Sequence, residues 1–490
     1  MFLAYAKINN AVSLPGKSTA LKFNRQDLLP LALLIAAAVI KFQFHELWKD
    51  EWQAWLVARD MSLSQLFGFL NYEGHPALWY LYLKPWTLLA SVVREDLLLG
   101  LAHMAALTVS TFLLFRNQSL HLAEKLALAL TYFLFFEYGI VNRGYILVIL
   151  TALFFIHSLP KQKTYAMAAA LFLLCQTEVY GTLMALVMMF YLVWQEGWQK
   201  HKTNLVGLGA GLLAFVISVY PRGNEDDFSR AYVQGGFTFE KLQLAFQGML
   251  GNTFGIGLFT DTSFGGYSAL GTLLGLIALG LTTYLFAGNK KLQITWLLAA
   301  AGFVLFSTLV FNGGVRQWGM LFVLFMLLRL LQCQASIPAR WQTLAVVILC
   351  LPPILHNLKA ISQDIKLPFS NAKAAGAFIT EKIPENVPIV SLNKFETAAA
   401  AAYAGRKMYE LPTGTPFTYF HWLQKVYVPT QTELILFARY KKVTGLIIVS
   451  NKPIDDRRFP MLKLWKTFTD ENFKSEDYFF YVLDLRGGVG

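Results

Sequence analysis

HELWKDEWQAWLVARDMSLSQLFGFLNYEGHPALWY, residues 45–80, follows the first long apolar run of a 490-residue chain. It places Asp50, Glu51, Asp60, Glu73 and His75 among Trp48, Trp52, Trp55 and Trp79. Carboxylates beside a membrane face are costly, so their presence asks for a reason. If 46–59 winds as a helix, Trp48, Trp52 and Trp55 recur at i, i+4 and i+7 and share one face. That spacing predicts a helix lying on the membrane with its aromatic side in the headgroups. Asp50 and Glu51 then flank that face. They read either as carboxylates that take the proton of an incoming hydroxyl or amine, or as a solvated acidic pair on a surface helix.

Around this stretch the chain is apolar. It is 56% hydrophobic, its mean hydropathy is +0.45, and only 15% of its residues are charged, against about 25% in soluble domains. A spanning helix needs ~20 apolar residues, ~17 at the least. Runs of that order recur at 28–45, 77–93, 97–115, 123–138, 143–159, 164–178, 179–195, 205–220, 266–287, 292–311, 317–332 and 341–356. The fold class is an α-helical polytopic membrane protein of about 11–12 segments, with a small C-terminal α/β domain. The net charge of +12 comes from basic residues in short loops between apolar runs, the positive-inside pattern. Membrane lipids, and no nucleic acid, are the partners this implies. Cys175, Cys333 and Cys350 lie in or beside apolar segments without a C-x-x-C spacing, as buried packing thiols do.

Charge also orients the chain. Residues 1–27 form a basic tail (Lys7, Lys17, Lys22, Arg25) with no signal-peptide cleavage pattern, and the run 28–44 reads as a retained start-transfer anchor. The tail, Lys161/Lys163, Lys200/Lys202, Lys290/Lys291 and Arg340 are expected on the cytoplasmic side of the inner membrane. Loops 46–76, 136–145, 176–180, 221–265 and 311–318 then face outward, with everything after residue 357. This parity conflicts with Arg116 and Lys125 unless 77–93 fails to cross or the 116–124 loop breaks the charge rule. Its sequence LWYLYLKPWTLL, with Lys84 and Pro85, suits a short interfacial or re-entrant element.

Three domains are expected: the cytoplasmic tail 1–27, a transmembrane domain 28–356, and an external, periplasmic α/β domain 357–490. Loop 221–265 is long for a membrane connection. It carries Glu225, Asp226 and Asp227 and a helical run at 239–250, and reads either as a lid or acceptor-binding loop or as a plain external loop. Beyond residue 360 helices are predicted at 371–382, 395–404 and 432–440, and strands at 387–392, 407–411, 445–449 and 478–485. Gly405 marks a helix stop. Alternating strands and helices make a layered α/β domain. It has no Gly-rich nucleotide loop and no nucleophile elbow, as befits a scaffold or acceptor platform.

Five outward-facing pieces carry candidate chemistry. Asp50 and Glu51 are the candidate catalytic carboxylates. Glu73 and His75 sit in the turn YEGHPALWY, where His75 reads as a ligand for a phosphate or sugar hydroxyl or as an ordinary turn histidine. EYGIVNRGY supplies Glu137, Arg143 and Tyr145. FNGGVRQWGM supplies Arg316, and QTEVYG supplies Glu178. An arginine at a membrane boundary needs a partner, and a phosphate matches its planar fork. A carboxylate pairing would satisfy it equally. A base plus a cation clamp is what transfer from a phosphate leaving group requires.

The acidic pair after the first membrane helix, followed by Gly74-His75-Pro76-Ala77-Leu78-Trp79-Tyr80, resembles the polytopic glycosyltransferases of the GT-C fold. The nearest group is the bacterial relatives of protein O-mannosyltransferases (glycosyltransferase family 39-like) and of the aminoarabinose–lipid A transferase. Members commonly carry H-P-P where this chain has His75-Pro76-Ala77. Arg143-Gly144-Tyr145 is similar to their Arg-x-Tyr, and Gly313-Gly314-Val315-Arg316 to their Gly-Gly-x-Arg. The resemblance covers roughly 28–356. It implies an inverting transfer from a polyprenyl-phosphate sugar donor to a lipid, glycan or protein acceptor. Asp50 would be the base, supported by Glu51. Arg143 and Arg316 would hold the donor phosphate, with Glu73, His75, Glu137, Tyr145 and Glu178 around the substrate. A second catalytic aspartate of some members has no counterpart in residues 146–151, which leaves Glu137 and Glu178 as replacements.

No dedicated cofactor is expected. The Asp50–Glu51 pair is suited to a divalent cation. The alternative function is a transporter or flippase of a lipid-linked glycan, in which the same arginines bind phosphate without chemistry. Inverted repeats and broken midplane helices, the marks of such transporters, are not evident in the sequence.

Overall fold

The computed structural model describes residues 28–220, 236–254, 269–335, 338–421 and 427–486. The basic tail 1–27 and the acidic cluster at 225–227 lie outside them, as does most of the loop 221–265. Helices α1 (Leu28–Gln43), α2 (Lys49–Asp60), α3 (Leu63–Phe69), α4 (Leu78–Thr87), α5 (Glu95–Arg116) and α6 (Leu122–Ala129) open the chain. After them come α7 (Tyr145–Ser158), α8 (Thr164–Cys175), α9 (Val179–Glu196), α10 (Lys202–Val219) and α11 (Phe239–Asn252). The membrane part closes with α12 (Ala269–Leu285), α13 (Lys290–Leu309), α14 (Val315–Ala335) and α15 (Arg340–Lys366).

Among the described residues six helical segments are long and apolar enough to cross a membrane: α5, α9, Trp198–Val219, α13, α14 and α15. Four shorter apolar helices, α1, α7, α8 and α12, accompany them. The chain is therefore a multi-pass membrane protein. α14 is its axis. It is buried on all sides from Trp318 to Cys333, as a helix apolar all round must be, and packs against α7, α9, α11 and α13.

Two expected spans differ. The run 77–93 is helical only over the ten residues of α4, ~15 Å at 1.5 Å per residue, half of a hydrocarbon core. Lys84 Nζ turns back onto the carbonyl oxygens of Ala58 and Met61, at the C-terminal end of α2. The run is therefore a short helix and not a full-length span. The run 123–138 breaks after α6 and resumes as a π-turn, Tyr132–Glu137. Asn357 Nδ2 donates to the Leu130 carbonyl at the break, 2.9 Å, and Thr131 caps the following turn.

α2 corrects the expectation of an aromatic face in the headgroups. Residues 51–58 are all buried, with Trp52 2% and Trp55 0% exposed. The helix is sandwiched between α4 and α17 (Lys394–Ala404) of the C-terminal domain. Trp52 packs edge-on to Tyr403, and the Tyr403 hydroxyl accepts from Leu47 N at 2.6 Å. Trp55 Nε1 donates to Glu95, which also pairs with Arg59 at 2.7 Å.

α15 runs to Lys366, ten residues past the boundary expected at 356, before the C-terminal domain begins with α16 (Ala372–Lys382). A six-stranded sheet follows in the order β3-β2-β1-β4-β6-β5. Its strands are β1 (Ile389–Ser391), β2 (Met408–Glu410), β3 (Thr415–Phe417), β4 (Gly445–Ser450), β5 (Leu462–Phe468) and β6 (Tyr478–Asp484). β1 is parallel to β2 and β4, and the other pairings are antiparallel. Alternation sorts the faces. Ile389, Ile447, Val449 and Phe480 join the core shared with α16, α17 and the membrane domain. Val390, Ile448 and Tyr481 face a separate core under α18 (Gln431–Tyr440). β3 and β5 are additions to the predicted strands. Gly405, at φ 62°, closes α17 with its N–H on Ala401 and Ala402.

Candidate active site

One cavity of about 690 Å³ lies where α2 meets the loops preceding α4, α7, α9 and α14. Its polar part is lined by Asp50, Gln53, Glu73, His75, Arg143, Glu178, Arg316 and Gln317. Its apolar part is formed by Phe215 and Val219 of α10, Phe306 of α13, and Val310 and Phe311. Trp79, Tyr80, Tyr145 and Tyr180 complete the lining.

Asp50 sits between two arginines. Its Oδ2 accepts from Arg143 Nη1 at 2.5 Å and lies 3.7 Å from Arg316 Nη1. The three side chains are only 14–21% exposed. Burial raises the Asp50 pKa, but the charges of Arg143 and Arg316 outweigh this and hold it below the usual carboxylate value. Arg316 also donates from Nε to Glu137 at 2.7 Å. Glu137 lies behind it and accepts a second bond from Tyr132 OH, 2.7 Å. The Tyr138 hydroxyl donates to the Arg316 carbonyl at 2.6 Å and fixes the start of α14. Trp48 lies under the guanidinium, 5.5 Å from its ring centre.

Glu51 does not share this position. One residue along a helix turns a side chain by about 100°, and Glu51 is fully buried on the side away from the cavity. Its Oε1 accepts from Asn142 N at 2.6 Å and Asn142 Nδ2 at 2.7 Å. His45 Nε2 lies 3.3 Å away, with Asp364 3.0 Å from His45 Nδ1. Lys41 reaches the Asn142 side chain at 2.6 Å and the Ile140 carbonyl. This network fixes the backbone immediately before Arg143. Glu51 is thus a support, and a cation on the cavity side would meet Asp50 alone of the pair. Among the described residues no group of three or more His, Cys, Asp and Glu side chains converges as a metal site.

His75 and Glu178 form a second polar centre, Nδ1 to Oε2 2.5 Å. Burial lowers the His75 pKa, and the adjoining Glu178 carboxylate more than offsets this and raises it above 6.5. Gly74, at φ 70°, makes the turn before His75, a conformation glycine adopts without strain. Glu73 accepts from Tyr80 OH at 3.1 Å. Gly144 lets α7 approach, since a Cβ there would stand 3.1 Å from Trp79 and 3.2 Å from Glu178. Tyr145 OH faces Gln317 Nε2 at 3.5 Å.

The structure thus brings Asp50, Glu73, His75, Arg143, Tyr145, Glu178 and Arg316 to one cavity, with Glu137 behind Arg316 and Glu51 turned away. Sequence reading left out Gln53, Trp79 and Gln317. Gln53 was visible as the i+3 neighbour of Asp50. It is held by the C-terminal domain, donating to Phe420 O at 2.7 Å and accepting from Phe420 N at 3.2 Å. Trp79 is buried and its Nε1 has no hydrogen-bond partner among the described residues, a donor available to a bound polar group.

No family model matches the chain, and no curated protein matches it by sequence. By structure it is similar to ArnT from Cupriavidus metallidurans bound to undecaprenyl phosphate. The TM-score is 0.53 at 12% identity, over 95% of this chain and 99% of that one. ArnT from the same organism in the apo state gives a TM-score of 0.45 at 14% identity, over the same shares. The fold is accordingly the one expected: a polytopic helical membrane protein of the GT-C type carrying a small C-terminal α/β domain.

Proposed function

We propose that this protein is a membrane glycosyltransferase that moves a sugar from a polyprenyl-phosphate donor to a lipid, glycan or protein acceptor at the outer face of the inner membrane. The observation that carries the reading is the cavity: a carboxylate between two arginines in one part of its lining, aromatic and aliphatic side chains in another. An amphiphile with an anionic head and an isoprenoid tail matches that division. The likeness to ArnT, solved with undecaprenyl phosphate, supports the same ligand class.

In this scheme the donor phosphate takes the guanidinium groups of Arg143 and Arg316, and His75 adds a third donor while it is protonated. Tyr145, Gln317, Glu73 and Glu178 are placed for sugar and acceptor hydroxyls. The acceptor O–H or N–H attacks the anomeric carbon from the face opposite the phosphate. The bond between that carbon and the phosphate oxygen breaks, its electron pair leaves with the polyprenyl phosphate, and the acceptor proton passes to Asp50. The arginines stabilise the charge that develops on the leaving oxygen. Drawing them toward the phosphate releases Asp50 from the pairing that keeps it a weak base, so donor binding readies the base. A divalent cation, if used, would be held by Asp50 together with the phosphate.

The test is transfer by the purified protein from labelled polyprenyl-phosphate sugars, with Asp50→Asn as control. Transfer lost in a folded D50N variant supports the reading. Equal transfer by D50N removes Asp50 from the chemistry. Movement of the labelled lipid across a proteoliposome bilayer without sugar transfer would assign the cavity to a flippase.

A further inference from the structure

We propose that Lys474, carried by the C-terminal domain, is a positioning cation of the phosphate site: it braces Trp48 and takes over the charge of Glu137 when Arg316 turns to a phosphate. The inference rests on the phosphate-donor reading above.

Lys474 lies in the turn between β5 and β6. That turn is pinned to the linker after α15: Phe473 N donates to Pro368 O and Lys474 N to Phe369 O, each at 3.0 Å. The Phe473 and Phe369 rings stack at 4.8 Å, and Ser370 Oγ donates to Glu476 at 2.5 Å. The turn reaches the start of α2, where Glu476 accepts from Lys49 N at 3.4 Å. So fixed, the Lys474 ammonium sits 4.5 Å from the centre of the Trp48 ring, 5.1 Å from Phe369 and 5.3 Å from Phe473. Aromatic faces attract a cation without neutralising it. Burial lowers its pKa, and the charged groups that act on it, Glu137, Arg316, Asp50 and Glu51, are those of the site.

Trp48 carries two cations, Lys474 and Arg316. Arg316 is the cation paired with Glu137 in this state. A phosphate that draws Arg316 forward leaves the buried Glu137 with Tyr132 OH, and a buried carboxylate stripped of its cation is strongly unfavourable. Lys474 is paired through no carboxylate among the described residues and has a flexible stem, so it can compensate. Arg316 is then free to commit to the ligand. Lys474 acts through Arg316 and Glu137 and is not assigned a contact with the substrate.

The experiment measures binding of undecaprenyl phosphate and of undecaprenol to the full-length protein in nanodiscs. The quantity read is the preference for the phosphorylated lipid. Lys474→Met lowers that preference about tenfold, and Lys474→Arg keeps it within about threefold of wild type. Undecaprenol binding is unchanged in both, which a merely structural lysine would not give. Should K474M fail to fold, Lys474→Gln, which removes the charge and keeps a polar side chain, reads out the same loss. Full preference in K474M or K474Q, or an equal loss for both lipids, overturns the inference while the donor reading stands, provided Arg316→Ala still weakens the phosphate lipid. A wild-type protein with no preference for the phosphate overturns both.

Discussion

Asp50→Asn separates two roles that are usually lost together. Asp50 lies 2.5 Å from Arg143 and 3.7 Å from Arg316. At an effective dielectric of ~20 these spacings correspond to attractions of about 7 and about 4 kcal/mol. Desolvating a carboxylate takes back most of that; the net effect still leaves the Asp50 pKa below its ordinary value. On the proposed function, a donor phosphate competes with this carboxylate for the same two guanidinium groups. The asparagine is nearly isosteric and removes the competitor. A residual of ~1–2 kcal/mol corresponds to roughly ten-fold tighter binding of undecaprenyl phosphate. Losing the base costs ~10²–10⁴ in transfer rate. The expected D50N protein is therefore nearly inert and binds the donor phosphate more tightly. Titration of the lipid by intrinsic Trp fluorescence, beside a transfer assay, measures both. Weaker lipid binding in D50N would refute the competition argument, even with transfer lost.

The other variants probe separate links. His75, raised above 6.5 by Glu178, is cationic below its folded pKa. The stability and phosphate affinity it adds are fully present below the unfolded value and are lost as pH rises through the folded one. A downward step in lipid affinity with rising pH is expected in wild type and absent in His75→Gln, measured by titration at several pH values. Glu476 is raised to about 7, first by burial, so the folded protein binds the extra proton between the two pKa values and loses stability as pH rises across that window. Glu476→Gln, always neutral, should melt a few degrees above wild type at about pH 8 and converge with it near pH 5. At the far end of the bundle Arg329 and Glu124 pair at 2.9 Å with both side chains at 0% exposure. Glu124→Gln strands the arginine and should cost ~3–5 kcal/mol, read as a large drop in melting temperature in detergent with donor affinity unchanged in the folded fraction.

Some of this was legible because it is expensive. Asp50, Arg143 and Arg316 stood out as charges at membrane boundaries, where each needs a partner, and they are one another's partners here. What failed were questions of covering. The Trp52 and Trp55 spacing is the same for a helix in headgroups and for one under a domain. The covering residue, Tyr403, lies some 350 positions on. Lys474 sits in a polar turn whose sequence gives no hint that it reaches Trp48. β5 was missed because LKLWKTF is an exposed edge strand with Lys463 and Lys466, charges that edges use to resist further pairing. The run 123–138 read as a span close to the minimum length, and Asn357 at the Leu130 carbonyl with the Thr131 cap marks where its helix breaks.

Glu51 joins the two halves of the candidate site. Asp50 belongs to α2 and Arg143 to the loop before α7, 93 residues apart in sequence. Two side chains on separate elements hold a short contact only if their backbones are tied together. The tie is one residue removed on both sides: Glu51 next to Asp50 grips Asn142 next to Arg143, through the amide nitrogen and the side chain. Lys41 holds the other end of the Asn142 amide, and His45 links Glu51 to Asp364 on α15. The end of α1, α2, the loop before α7 and the C-terminal part of α15 thus meet around one buried carboxylate. An acidic pair in sequence has become a cavity-side group and a frame-side group, because neighbouring helix positions point in different directions. In the proposed transfer, that division would let Asp50 exchange partners with a phosphate while its position is set by Glu51.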